Sequence, residues 1–323
     1  MRAWAAALLS AFLAAPAGAR AEGAPRRERL QLASEAKGLM DQRRYPEAEA
    51  RLAKALEPGA ARRDRGRWLP LLGRCYEDEK NFQKALTAYQ DAYQVRPKDP
   101  DRMLDLARVY DAVDLNASAV DLYRKVLEKD KDRRDVLYAL ANVYFRSGKL
   151  PEARDAAEKY LHWEPRDLAA ERLMARIEES QGDLASAAHR WEGILVEKPA
   201  ADDYFYLGRL WARQNEYELA DAALAKAEGL GLASSAFYFQ RGLVDWYRKD
   251  NDAAARHWDF SLKKNAGNNL PAFFLALNDY RNGDTAKALE RMQAVQARTG
   301  SPFVKELAAR FREIAGSSKK PNG

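Results

Sequence analysis

Residues 68–97 read WLPLLGRCYEDEKNFQKALTAYQDAYQVRP. Leu69, Leu72, Gly73 and Tyr76 recur at intervals of three and four, which puts them on one face of a helix. Phe82, Ala85, Tyr89 and Ala92 do the same after the polar break at Lys80-Asn81. Pro97 lacks a backbone donor and ends the second run. The stretch is a helical hairpin. Gly73 and Ala85 are small where the two backbones must cross closely, and Tyr76 and Tyr89 fill the space beside them.

The hairpin recurs. Alanines matching Ala85 stand at Ala48, Ala119, Ala153, Ala187, Ala220, Ala254 and Ala288. Their successive separations, starting from Ala48, are 37, 34, 34, 34, 33, 34 and 34. A near-constant period of this size is the signature of a solenoid. Eight units begin near residues 29, 66, 100, 134, 168, 201, 235 and 269. The first is followed by an inserted linker, PGAARRDRG, and the seventh and eighth carry Asp245 and Asp279 where Tyr76 stands in the second. Residues 302–315, PFVKELAARFREIA, form one more amphipathic helix with Phe303, Leu307, Phe311 and Ile314 on its stripe. A solenoid needs such a cap with a polar outer face. The tail, residues 316–323, is short and polar and is expected to be disordered.

LGRCYEDEKNFQKALTAYQDAYQVRP, LANVYFRSGKLPEARDAAEKYLHWEP from residue 140, LARVYDAVDLNASAVDLYRKVLEKD from 106 and LGRLWARQNEYELADAALAKA from 207 resemble the tetratricopeptide repeat (TPR). The resemblance covers residues 29–298. It implies an all-α, right-handed superhelical solenoid of about eight helix-turn-helix units with a C-terminal capping helix. It also implies that the first helix of each unit lines a concave groove through its positions 2, 5, 9, 12 and 13.

The composition agrees. The 323 residues are 47% hydrophobic and 32% charged, enough for a substantial core, and no stretch alternates as a sheet would. The N-terminus, MRAWAAALLSAFLAAPAGARA, has a basic Arg2, an apolar run over 3–15, breakers at Pro16 and Gly18, and a small-x-small site at Ala19-Arg20-Ala21. Residues 1–21 therefore read as a secretory signal, too short to span a bilayer. In a bacterium the address is the periplasm. Loss of Arg2 and Arg20 lowers the formal charge from +6 to +4, a mild excess without the clustered basic face that nucleic acid requires. The single cysteine, Cys75, cannot form an internal disulfide and reads as a small buried hydrophobe.

Chemistry is not legible. The sequence holds no G-x-x-x-x-G-K-[ST], G-x-S-x-G or H-E-x-x-H motif. His162, His189 and His257 fall in three different units, none with further ligands at metal spacing. No catalytic residue, metal or cofactor is expected, and the chain is expected to bind rather than catalyse.

The groove is the candidate site. Its ninth positions read Lys37, Arg74, Arg108, Asn142, Arg176 and Arg209, then Leu243 and Leu277. Arginines at successive rungs could hold an acidic or carboxylate-ended chain. Against this, Asp78, Asp111 and Glu179 stand one helical turn after Arg74, Arg108 and Arg176 and could neutralise them. Arg209 and Arg213 have no such acid in their helix, so that end is expected to be basic. Beside the ladder lie Tyr138 and Phe145, Phe205, Phe239, Trp246 and Tyr247, and Phe273 and Tyr280, as groove anchors or as packing. The chaperone-tail carboxylate clamp known in the family is excluded, since Tyr138 and Leu173 stand where Lys and Asn are needed and only Asn142 matches. The expected function is a protein-binding scaffold of the cell envelope, in a secretion, pilus, motility or outer-membrane system. The alternatives are binding of envelope polysaccharide or peptidoglycan, and a regulatory subunit of an envelope enzyme.

Overall fold

The computed structural model describes residues 24–317. The expected signal, residues 1–21, and most of the expected tail, residues 318–323, lie outside the described residues. Those described form seventeen helices and no strand. They fall into two compact units, divided after Pro165.

The first unit holds α1 (Arg26–Asp41), α2 (Tyr45–Ala55), α3 (Arg62–Asp78), α4 (Phe82–Val95), α5 (Pro100–Ala112), α6 (Asn116–Lys129), α7 (Arg134–Arg146) and α8 (Leu150–Trp163). The second holds α9 (Leu168–Gln181), α10 (Leu184–Glu197), α11 (Ala201–Arg213), α12 (Tyr217–Gly229), α13 (Ser235–Tyr247), α14 (Asn251–Lys264), α15 (Asn269–Arg281), α16 (Thr285–Thr299) and α17 (Pro302–Ser317). Within each unit every helix packs on the next. This bears out an all-α solenoid of helix pairs.

The sequence period reappears in two physical quantities. All eight marker alanines are fully buried. Each helix pair also turns through one left-handed residue: Arg43, Lys80, Asp114, Gly148, Gly182, Asn215, Lys249 and Gly283. Their spacing is that of the alanines. Five are not glycine, although a side chain at positive φ is strained. Four of the second helices are capped by the very next residue: Asn81, Asp183, Asp250 and Asp284 each accept a bond from the backbone N–H three residues ahead.

The helix crossings explain the glycines. A Cβ on Gly73 would lie 2.7 Å from the ring of Tyr89, on Gly208 2.8 Å from Leu224 Cγ, and on Gly242 2.4 Å from Trp258 Nε1. Tyr89, Leu224 and Trp258 occupy the same place in their repeats and are buried. The side chain that the first helix lacks is supplied by the second.

Two details differ from the sequence reading. The inserted linker is partly helical: α3 begins at Arg62 and contains Pro70. That proline leaves the carbonyl of Gly66 without its helical donor. The start of the linker is held by Arg29, whose buried guanidinium donates to the carbonyls of Glu57 (2.8 Å) and Pro58 (3.0 Å). At the C-terminus, α17 continues to Ser317 and buries Val304, Ala308 and Phe311 against Met292 and Val295 of α16.

Candidate functional site

In the first unit, Lys37 of α1 and Arg74 of α3 come together. They line one cleft of about 300 Å³ with Met40, Asp41, Tyr45, Leu71 and Asp78. Further along, the expected pairings change. Arg108 does not bond Asp111 but lies 3.4 Å from Asp135 of the next repeat, and Asp111 takes Arg146. Asn142 turns back and donates to the carbonyl of Tyr138, 2.9 Å away in its own helix. The Tyr138 ring rests on Tyr160, and Phe145 is half-buried.

In the second unit the expectation of a basic end at Arg209 and Arg213 is overturned. Both donate to Glu179 of α9, Arg209 at 3.0 Å and Arg213 at 2.7 Å. Arg172 forks onto buried Asp203 at 2.6–3.0 Å. Arg176 also has an interaction partner. The acids that satisfy Arg172, Arg209 and Arg213 come from the neighbouring repeat, about one period away in sequence. A search for partners three or four residues along the same helix cannot find them. A search at a separation of one period would have.

Beyond Arg209 the first-helix faces change character. Phe205 packs between Tyr206 and Phe237. Phe239 meets Phe274, and Trp246 meets Trp258, Phe274 and Tyr247. Tyr247 stacks on Tyr217 at 5.0 Å with planes 7° apart and stays 56% exposed. Tyr280 stacks on Phe311 at 4.5 Å. Phe273 touches Phe303 of α17. Leu243 and Leu277 are half-buried between these rings.

Profiles of the tetratricopeptide repeat match residues 34–101 and 114–177. A tetratricopeptide repeat protein of Parabacteroides merdae superposes with a TM-score of 0.60, over 78% of this chain and 99% of that one, at 18% identity. The chain is a tetratricopeptide repeat protein. PilF of Pseudomonas aeruginosa is similar over 67% of this chain and 98% of its own, with a TM-score of 0.55 at 18% identity. Cut9, solved with Hcn1 in an APC/C hetero-tetramer, matches 87% of this chain with a TM-score of 0.57 at 15% identity, and this chain spans 55% of the chain it matches. At such identities the likeness is one of fold. No curated protein sequence matches.

This tetratricopeptide repeat array is a protein-interaction scaffold. Among the described residues no group of three or more His, Cys, Asp and Glu could hold a metal, and no helix is long and apolar enough to cross a membrane. His257 bonds Asp245 at 2.5 Å and stacks on Tyr238. That pair belongs to a rule the sequence reading missed. At the eleventh position, repeats two to four carry Tyr76, Tyr110 and Tyr144, with Ala88, Leu122 and Ala156 twelve residues later. Repeats five, seven and eight carry Glu178, Asp245 and Asp279, and twelve residues later Arg190, His257 and Arg291. Each acid bonds its basic partner, at 2.9 Å, 2.5 Å and 2.9 Å. A hydrogen-bonded acid–base pair has replaced a ring, and the joint change at two positions was the available signal.

Proposed function

We propose that this chain is an exported scaffold of the bacterial cell envelope that holds an extended segment of a partner protein against the first helices of its repeats. One observation carries the binding reading. The face formed by α13 and α15 leaves aromatic and aliphatic groups open, while the arginines of α9 and α11 are taken up by partners within the fold. Export is supported by Arg2, the apolar run over 3–15 and Ala19-Arg20-Ala21. The partner is a component of a secretion, pilus, motility or outer-membrane assembly, and its acidic residues meet Lys37 and Arg74 in the cleft between α1 and α3. A second reading, binding of envelope polysaccharide, is favoured by the exposed Tyr247 ring stacked on Tyr217.

The test is crosslinking of the tagged protein in its native cells, followed by mass spectrometry. Recovery of one envelope assembly is the expected result. Retention on purified cell-wall polysaccharide with no protein captured would move the assignment to the second reading. A tagged chain that stays in the cytosol would sink export.

A further inference from the structure

The strongest unexplained surface is the row of first helices α13, α15 and α17 in the second unit. Capping helices present polar outer faces, and α17 does so at Lys305, Glu306, Arg310, Arg312 and Glu313. Phe303 breaks the rule. It is 64% exposed, and its ring sits 6.2 Å from that of Phe273 on α15. Leu270, at the same place in α15 as Phe303 in α17, is 55% exposed. Leu277 follows Phe273 one turn later on α15, and Leu243 stands at the matching place in α13. Clustered apolar exposure of this kind marks an interaction site.

A cation borders the strip. Arg281 lies with its guanidinium carbon 5.9 Å from the centre of the Trp246 ring. It is exposed and forms no ion pair among the described residues. Its counterparts differ: Arg172, Arg209, Arg213 and Arg248 are each bonded to carboxylates of the fold. The protein satisfies those charges internally and leaves this one open beside an apolar strip.

From this we infer that Leu270, Phe273, Leu277 and Phe303 dock large apolar side chains of an extended protein segment, and that Arg281 binds a carboxylate of the same segment. The inference rests on the scaffold reading and names the partner's chemistry. Aliphatic groups favour a peptide over a sugar. The open face of Tyr247 could take a sugar, but Leu270 and Leu277 have no aromatic face to offer one. A fork of guanidinium donors on a ring is suited to a carboxylate in two-point contact.

The test selects phage-displayed random peptides on the purified full chain and measures the best binder by fluorescence anisotropy. Enriched sequences should pair Leu, Phe or Trp with a nearby Asp or Glu. Leu270→Asp combined with Phe303→Ser should weaken that peptide at least about tenfold. Both residues are exposed, so circular dichroism should be unchanged. Arg281→Glu should weaken the acidic peptide and spare its Asn or Gln analogue. Three outcomes would overturn the inference. The first is enriched peptides without an acid. The second is binding unmoved by the two apolar changes. The third is concentration-dependent self-association abolished by Leu270→Asp, which would assign the face to a second copy. Peptides that bind elsewhere would leave the scaffold reading intact while this strip falls. In-cell capture of no protein partner would remove the scaffold reading, and this strip with it.

Discussion

At the scale of the residue, the fold is governed by how little room the helix crossings leave. Gly242→Ala would drive a methyl group to within 2.4 Å of Trp258 Nε1. The indole cannot slide away, because it is fully buried and its Nε1 donates to the carbonyl of Phe239 at 3.2 Å. The expected loss is about 1–3 kcal/mol in a urea titration. Gly193 provides the contrast. It lies inside α10 with nothing within 4 Å of the position a Cβ would take, so Gly193→Ala should gain about 0.5–1 kcal/mol. Equal effects at the two sites would refute the close-crossing account. Cys75 offers a second residue-scale test. Burial, with Glu79, Asp78 and Glu49 nearby, pushes its thiol from an ordinary 9.0 up to about 11. The unfolded chain therefore loses that proton first. The contribution to stability is complete below pH 9 and falls as pH rises toward 11. Iodoacetamide at neutral pH should leave the native thiol untouched and label it only in urea.

At the scale of the element, the acid–base pairs that replace tyrosine in repeats five, seven and eight make the two helices of a repeat interdependent. His257→Ala would leave Asp245 buried without its partner and should cost about 3 kcal/mol. Adding Asp245→Tyr recreates the ring-and-alanine pairing of repeats two and four and should recover more than half of the loss. A double-mutant cycle measures this directly, and purely additive losses would show that the two positions are not coupled. The same elements show what was legible in the sequence. Ala85 and its seven counterparts, with Gly73 and Pro97, sufficed for the fold, because helix crossing is enforced locally within each hairpin. The charges of the candidate groove were not legible. Arg209 and Arg213 look free because nothing acidic follows them on α11, yet Glu179 of α9 accepts from both. Which arginine meets which acid depends on the contact between successive repeats, and a reading confined to one helix does not include it. Arg281 was passed over for the converse reason. Its distinction is the lack of a carboxylate partner among the described residues, which only the surrounding repeats reveal.

At the scale of the whole molecule, the repeats within each unit are stabilised by their neighbours and the last needs an end. Removing residues 302–323 would strip Val304 and Phe311 from Met292 and Val295. Burial of this kind contributes about 3–6 kcal/mol. The truncated chain should melt earlier in urea and scatter light at concentrations where the full chain does not. An unchanged melt would mean that α17 serves binding alone. The left-handed residue in each of the eight turns extends the same logic, since every hairpin is closed by one backbone device whatever its sequence.

The partnership of the eleventh position with the residue twelve places on also bears on how such a gene can grow or shrink. A crossover that falls between two repeats carries each acid away together with its own basic partner. A crossover inside a repeat, between the two positions, joins an acid of one lineage to an alanine of the other and strands a charge in the interior. Exchanges between an acid-bearing repeat and a ring-bearing one are therefore best placed at the joints between hairpins, where the pair stays whole.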